Sequence, residues 1–151
     1  MRKLSLAMLA LVGLTAQAHA YRITHDPGGR IGAYVDRYQR INYSGERVEI
    51  DGACLSACTL VLGIVPRDRI CVTKRAVLGF HEAWAPKPVG YAYGSLVTRP
   101  MYSEEGTREL WKIYPSSIKH LITMRGGLTH KMFFVRGKEL AAMYPLCSAT
   151  R

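Results

Sequence analysis

From Tyr21 onward the apolar positions switch between helical spacing and two-residue alternation. Residues 21–24 predict a short strand, and Asp26-Pro27-Gly28-Gly29 a turn. Ile31, Tyr34, Val35, Tyr38 and Ile41 then recur every three or four positions, the stripe of a helix over residues 30–42. Tyr43-Ser44-Gly45-Glu46 breaks it, and Val48 and Ile50 alternate with polar neighbours in a strand over residues 47–51. A turn at Ser56 leads into an apolar helix ending near Gly63, before Pro66. Residues 69–73 and 76–80 predict two more strands, the second ending one residue before His81.

Residues 82–99 carry Trp84, Pro86, Pro88, Tyr91 and Tyr93 and predict a loop, either a substrate wall or a surface loop with aromatics tucked on the core. Helical patterning returns over residues 104–114. After Pro115, Ser116 or Ser117 is expected to cap a helix that turns Ile118, Leu121 and Ile122 inward. Gly126-Gly127 ends it, followed by a strand over residues 132–135 and a helix over residues 137–144. Strands alternating with helices predict an α/β fold with parallel pairing and right-handed crossovers. Sites in such sheets gather at the C-terminal ends of strands, and Gly28, Ser56 and His81 each follow one.

Arg2, Lys3, an apolar run over residues 4–14 and Ala18-His19-Ala20 form a secretory signal, so cleavage after Ala20 into a periplasmic or secreted chain is expected. Residues 21–151 then make one domain, with no stable membrane anchor expected. The whole chain has a formal charge of +10, or +8 without Arg2 and Lys3. Its bases are scattered, without zinc-finger spacing or an RNA-binding motif, so no nucleic acid partner is expected.

Four cysteines in an exported chain allow three disulfide connectivities. The expected one joins Cys71 to Cys147, closing a long loop worth about 4–5 kcal/mol, and Cys54 to Cys58 around Ser56. A zinc or redox site built from Cys54, Cys58 and His81 or His25 is disfavoured by the C-x₃-C spacing. No metal or cofactor is expected.

Ser56, opening a helix at a strand end, has the placement of a nucleophile, and His81 that of its base. The Ala57 N–H and the Gly28 N–H of the Gly-Gly turn are the expected oxyanion donors, and losing one such donor typically costs about 3–4 kcal/mol. The alternative for Ser56 is a helix N-cap, and for His81 a strand-end histidine bonded to a carbonyl. His25, His120 and His130 are weaker candidates.

Asp-Pro-Gly-Gly, a helix, a strand, Gly-x-x-x-Ser-Ala and a strand ending in Gly-Phe-His resemble the Clp protease proteolytic subunit (ClpP), within the wider crotonase-like fold. The chain is similar, closer still, to small exported proteins with Cys-x-Ser-Ala-Cys at this point. The resemblance covers residues 26–82 and implies a ClpP/crotonase-like parallel sheet, a peptide or ester substrate, and a homo-oligomer by analogy. It also implies the roles given above to Gly28, Ser56, Ala57 and His81. The family's catalytic aspartate precedes a phenylalanine in the closing strand; here His130, Lys131 and Met132 precede Phe133. Glu105, Glu139 or a backbone carbonyl remain as third members, and in a classical triad losing the aspartate costs about four orders of magnitude. The expected activity is serine hydrolysis through an acyl-Ser56 intermediate; the alternative is a crotonase-fold binding protein without catalysis.

Overall fold

The computed structural model describes residues 20–148; the expected signal segment, apart from Ala20, lies outside the described residues. In chain order the elements are β1 (Ala20–Asp26), α1 (Ile31–Ser44), β2 (Arg47–Leu55), a 3-10 turn (Ser56–Leu60), α2 (Val61–Ile64), β3 (Ile70–Val72) and β4 (Val77–Phe80). They continue with β5 (Trp84–Ala92), β6 (Ser95–Tyr102), α3 (Glu104–Ile113), α4 (Ser116–Met124), β7 (Phe133–Arg136) and α5 (Gly137–Met143).

Val48, Ile50, Ile70, Val72 and Leu78, all buried, form the spine of a five-stranded sheet. β2 lies at its centre. On one edge it pairs in parallel with β1; on the other it pairs in parallel first with β3 and then with β4. β7 closes the sheet antiparallel to β4, with Phe80 opposite Phe133. The result is a mixed α/β fold with a mainly parallel sheet flanked by helices. One cluster joins both halves, from Tyr38 on α1 to Ile118 and Ile122 on α4 and Leu140 on α5.

β2 runs four residues beyond its expected end at Asp51, because a bulge lets it continue. Between the pairs Ile23↔Ile50 and His25↔Ala53, Asp51 and Gly52 oppose Thr24 alone. A Cβ at Gly52 would stand 1.8 Å from the Thr24 carbonyl oxygen, so only glycine fits there. The buried Asp51 carboxylate accepts hydrogen bonds from Arg75, from the Thr73 hydroxyl at 2.7 Å and from Arg22. Those partners, Arg75 foremost, hold its carboxyl well below the usual range. They also fasten the turn at which β2 exchanges β3 for β4.

The chain end adds to the outer edge of β3. Val72 N–H donates to the Pro145 carbonyl at 2.9 Å, and Cys147 N–H to the Val72 carbonyl at 2.9 Å. A Cys71–Cys147 disulfide locks this contact, and Cys54–Cys58 is the second bridge, as the expected connectivity had it. Two disulfides suit an oxidising compartment. Among the described residues no helix is long and apolar enough to cross a membrane.

Three expectations are corrected. Residues 82–99 are not a loop: β5 and β6 form an antiparallel hairpin. The helix after Ser56 is a 3-10 turn followed by a single α-helical turn. Gly63 there lies against α3, where a Cβ would stand 2.0 Å from the Ile113 carbonyl oxygen. Neither Ser116 nor Ser117 caps α4, which follows Pro115 without a side-chain cap; the capping serine is Ser103, which accepts from Gly106 N–H at 3.1 Å on α3.

Candidate functional site

Ser56 follows directly on β2 with φ at +55°, in the left-handed region that residues with a Cβ rarely enter. Three contacts hold it there. Cys54 and Cys58, both fully buried, bracket it through their disulfide, with Cα atoms 5.2 Å apart. Thr59 donates its hydroxyl hydrogen to the Ser56 carbonyl at 2.6 Å. That leaves the Tyr114 hydroxyl to donate to Thr59 Oγ1, also at 2.6 Å, so the turn is tied to the end of α3. Burial pushes the Tyr114 hydroxyl up to about 12.

The Asp-Pro-Gly-Gly turn packs directly on this serine. Gly28 has φ at +87°, and a Cβ added to it would stand 2.6 Å from both Ser56 Cβ and the Leu55 carbonyl oxygen, and 3.0 Å from Ala57 N. The turn is built around Asp26, whose carboxylate accepts from Gly28 N–H at 2.9 Å, from the Tyr34 hydroxyl, and from Arg37 at 3.2 Å. Burial, then the bond to Asp26, pushes the Tyr34 hydroxyl up to about 12. The Gly28 N–H is therefore engaged within its own turn. Ala57 is buried in the opening of the 3-10 turn, where N–H groups have no partner within the helix.

Leu55–Gly79 is the last pair of the parallel β2–β4 ladder, so the segments that carry Ser56 and His81 leave the sheet at the same end. Both Ser56 and His81 are half-buried. On the other side of β4 the ladder to β7 ends at the Phe80–Phe133 pair, and beyond it Glu82 N–H donates to the Thr129 carbonyl at 2.9 Å. A Cβ at Gly79 would lie 2.6 Å from Met132 Sδ, which puts this thioether against β4.

Among the hydrogen bonds of the described residues, none joins either glutamate considered as a third member to His81. Glu105 is exposed in the first turn of α3, and Glu139 pairs with Arg125 at 2.6 and 2.8 Å. His25, His120 and His130 are exposed. Cys54 and Cys58 are joined to each other, so neither offers a thiolate to a metal. A groove of about 380 Å³ between α3 and the base of the hairpin is lined by Tyr102, Thr107, Trp111 and Leu128. It starts two residues from His81, since Ala83 N–H donates to Thr107 Oγ1 at 3.0 Å.

Thr59, Tyr114 and Asp26 brace the site without having been singled out as site residues. Thr59 had a local signal, because a hydroxyl three residues after Ser56 is placed to reach its carbonyl. Tyr114 had none. Its role depends on where α3 packs. No protein-family model matches the chain, and no curated protein matches it.

Proposed function

We propose that the chain is an exported serine hydrolase, a peptidase or esterase, on a ClpP/crotonase-like scaffold. Ser56 Oγ attacks a carbonyl carbon and His81 takes its proton; the imidazolium then protonates the leaving group, and water releases the acyl group from Ser56. The observation that carries this reading is the left-handed φ of Ser56 at a strand end, braced by a disulfide, a hydrogen-bond chain and the Gly28 turn. Strain of this kind costs about 1–3 kcal/mol and persists where the surroundings over-determine it, which is a feature of active sites. The Ala57 N–H is the first oxyanion donor, and the Gly28 N–H joins only on release from Asp26. With Met132 before Phe133, where the resemblance places an aspartate, the base works in a Ser–His dyad, so slow turnover is expected.

That same methionine favours the second reading, a periplasmic binding protein that keeps the scaffold without the reaction. Fluorophosphonate labelling separates the two. The folded wild type should label at Ser56, with labelling lost in Ser56→Ala and reduced at least a hundredfold in His81→Ala. Undiminished labelling of Ser56→Ala would remove the assignment, and an unlabelled, folded wild type would favour the binding reading.

A further inference from the structure

The largest concentration of uncovered apolar surface lies on the β5–β6 hairpin, which begins three residues after His81. Of the twelve large apolar side chains exposed among the described residues, seven fall between Trp84 and Tyr102, so they form a patch and not a scatter. Residues 83–103 hold no acid; their only charges are Lys87 and Arg99, which stand directly opposite each other. The flanking acids, Glu82 and Glu104, belong to the base of the hairpin, and Glu104 is paired with Arg108 at 2.5 Å.

The hairpin is zoned along its length. From Pro88 to Thr98 the strands and the turn between them carry no charge on either face. Every residue there except Val97 is exposed, so this uncharged zone is open on all sides. The Lys87–Arg99 pair comes next, about 14 Å of strand behind Ser95. The edges are closed to strand addition. Pro86 opposite Pro100 cannot exchange N–H bonds, so this position and the Pro88–Thr98 pair are those whose N–H groups would point outward, and proline removes three of the four donors.

The tip indicates how this zone is used. Tyr93-Gly94 is a two-residue turn with both φ values positive, +51° and +76°, a conformation that normally takes Asn, Asp or Gly first. A tyrosine there is strained and gains nothing within its own chain, being fully exposed at 106%. Tyr91 beside it is exposed at 78% and pairs with the exposed Leu96. Tyrosine joins an apolar ring to a polar hydroxyl, the combination that collects where water meets lipid.

We infer that the hairpin docks the protein reversibly, tip first, on an anionic lipid surface. Val89, Tyr91, Tyr93 and Leu96 enter the boundary between headgroups and acyl chains, about 5–10 Å deep. Lys87 and Arg99, set back from the tip, then reach the headgroup phosphates on their long stems. Three observations select this occupant. A protein groove covers one face of a hairpin, whereas an uncharged zone exposed on both faces suits a medium that surrounds it. Closed edges exclude a partner strand. The formal charge of +8 beyond Ala20 draws the chain to an anionic surface and repels a second copy. A soluble anionic polymer would meet the two cations but leave Tyr91, Tyr93 and Leu96 uncovered.

Co-sedimentation with vesicles of equal parts phosphatidylglycerol and phosphatidylcholine tests this. The chain is used from Tyr21 onward with both disulfides formed, which leaves out the apolar run 4–14 that would enter lipid by itself. The wild type should pellet with these vesicles and bind pure phosphatidylcholine at least about tenfold more weakly. Tyr93→Asn and Leu96→Glu should each weaken binding by about tenfold or more. Asparagine suits the turn, so Tyr93→Asn should keep or raise the melting temperature while losing the vesicles. Lys87→Gln and Arg99→Gln should each cost about fivefold on the anionic vesicles. Ser56→Ala should bind as the wild type does, because docking needs no chemistry at that residue. A wild type that stays in solution beside the anionic vesicles overturns the inference, whether it is a monomer or an oligomer that Leu96→Glu dissolves. So does vesicle binding that neither Tyr93→Asn nor Leu96→Glu weakens, since the scattered bases alone would then account for it.

Discussion

The ends of β2 and β4 lead to opposite kinds of structure. After β2, at Ser56, the chain is over-determined: a disulfide, the Tyr114–Thr59–Ser56 hydrogen-bond chain and the Gly28 contact all act on one strained residue. Past His81 the chain leaves the core after Ala83, and the hairpin exposes aromatic residues that nothing in its own domain covers. Both places hold a non-glycine residue at positive φ, Ser56 and Tyr93. Ser56 is half-buried and held by neighbours; Tyr93 is bare. A strained residue kept in place by its own fold points to chemistry at that residue. One kept in place by nothing points to a surface outside the chain.

The largest loss of stability is expected from releasing the tail that lies along β3. Replacing Cys71 and Cys147 with serine should lower stability by about 4 kcal/mol, read from denaturant unfolding, since the bridge closes a loop with a sequence separation of 76. A change below about 1 kcal/mol would mean that the Pro145–Cys147 hydrogen bonds hold the tail without it.

Thr59→Val is a smaller and more local probe. It keeps the shape of the side chain but removes the donor to the Ser56 carbonyl and strands the buried Tyr114 hydroxyl. The expected loss is about 1–3 kcal/mol, with slower fluorophosphonate labelling at Ser56. Labelling at the wild-type rate would show that the disulfide alone is enough to hold the turn.

The hairpin should respond least. Tyr91→Ser should change the stability of dilute, monomeric protein by no more than about 0.5 kcal/mol, because the side chain is exposed. Amide hydrogen exchange should then rank the hairpin fastest and β2 slowest. Protection of residues 84–102 comparable to β2 under those dilute conditions would contradict the comparison.

The hairpin was illegible for identifiable reasons. Three prolines within it read as loop, yet each occupies a position whose N–H would have pointed outward, so the ladder loses nothing by their presence. Its turn is Tyr-Gly, without the Asn-Gly or Asp-Gly that marks a two-residue connection. Gly52 likewise read as the end of a strand, when it is the bulge that lets the strand reach Ser56. By contrast α1 was plain, because Tyr34, Tyr38 and Ile41 repeat on one buried face and Gly45 stops the helix in the left-handed conformation.

Periodicity, turn chemistry and spacing thus determined the order of elements outside residues 82–102 and the cysteine partners taken for the two bridges. These are properties of neighbouring residues, and neighbours in sequence carry them. Only the tertiary structure decided that Gly28 donates to Asp26, that Met132 lies against Gly79, that Tyr114 steadies the serine from α3, and that the hairpin's apolar face is bare. Each of those depends on which strands lie side by side and in what register. A shift of one residue would turn every side chain to the other face, and no local pattern in the chain records which register prevails.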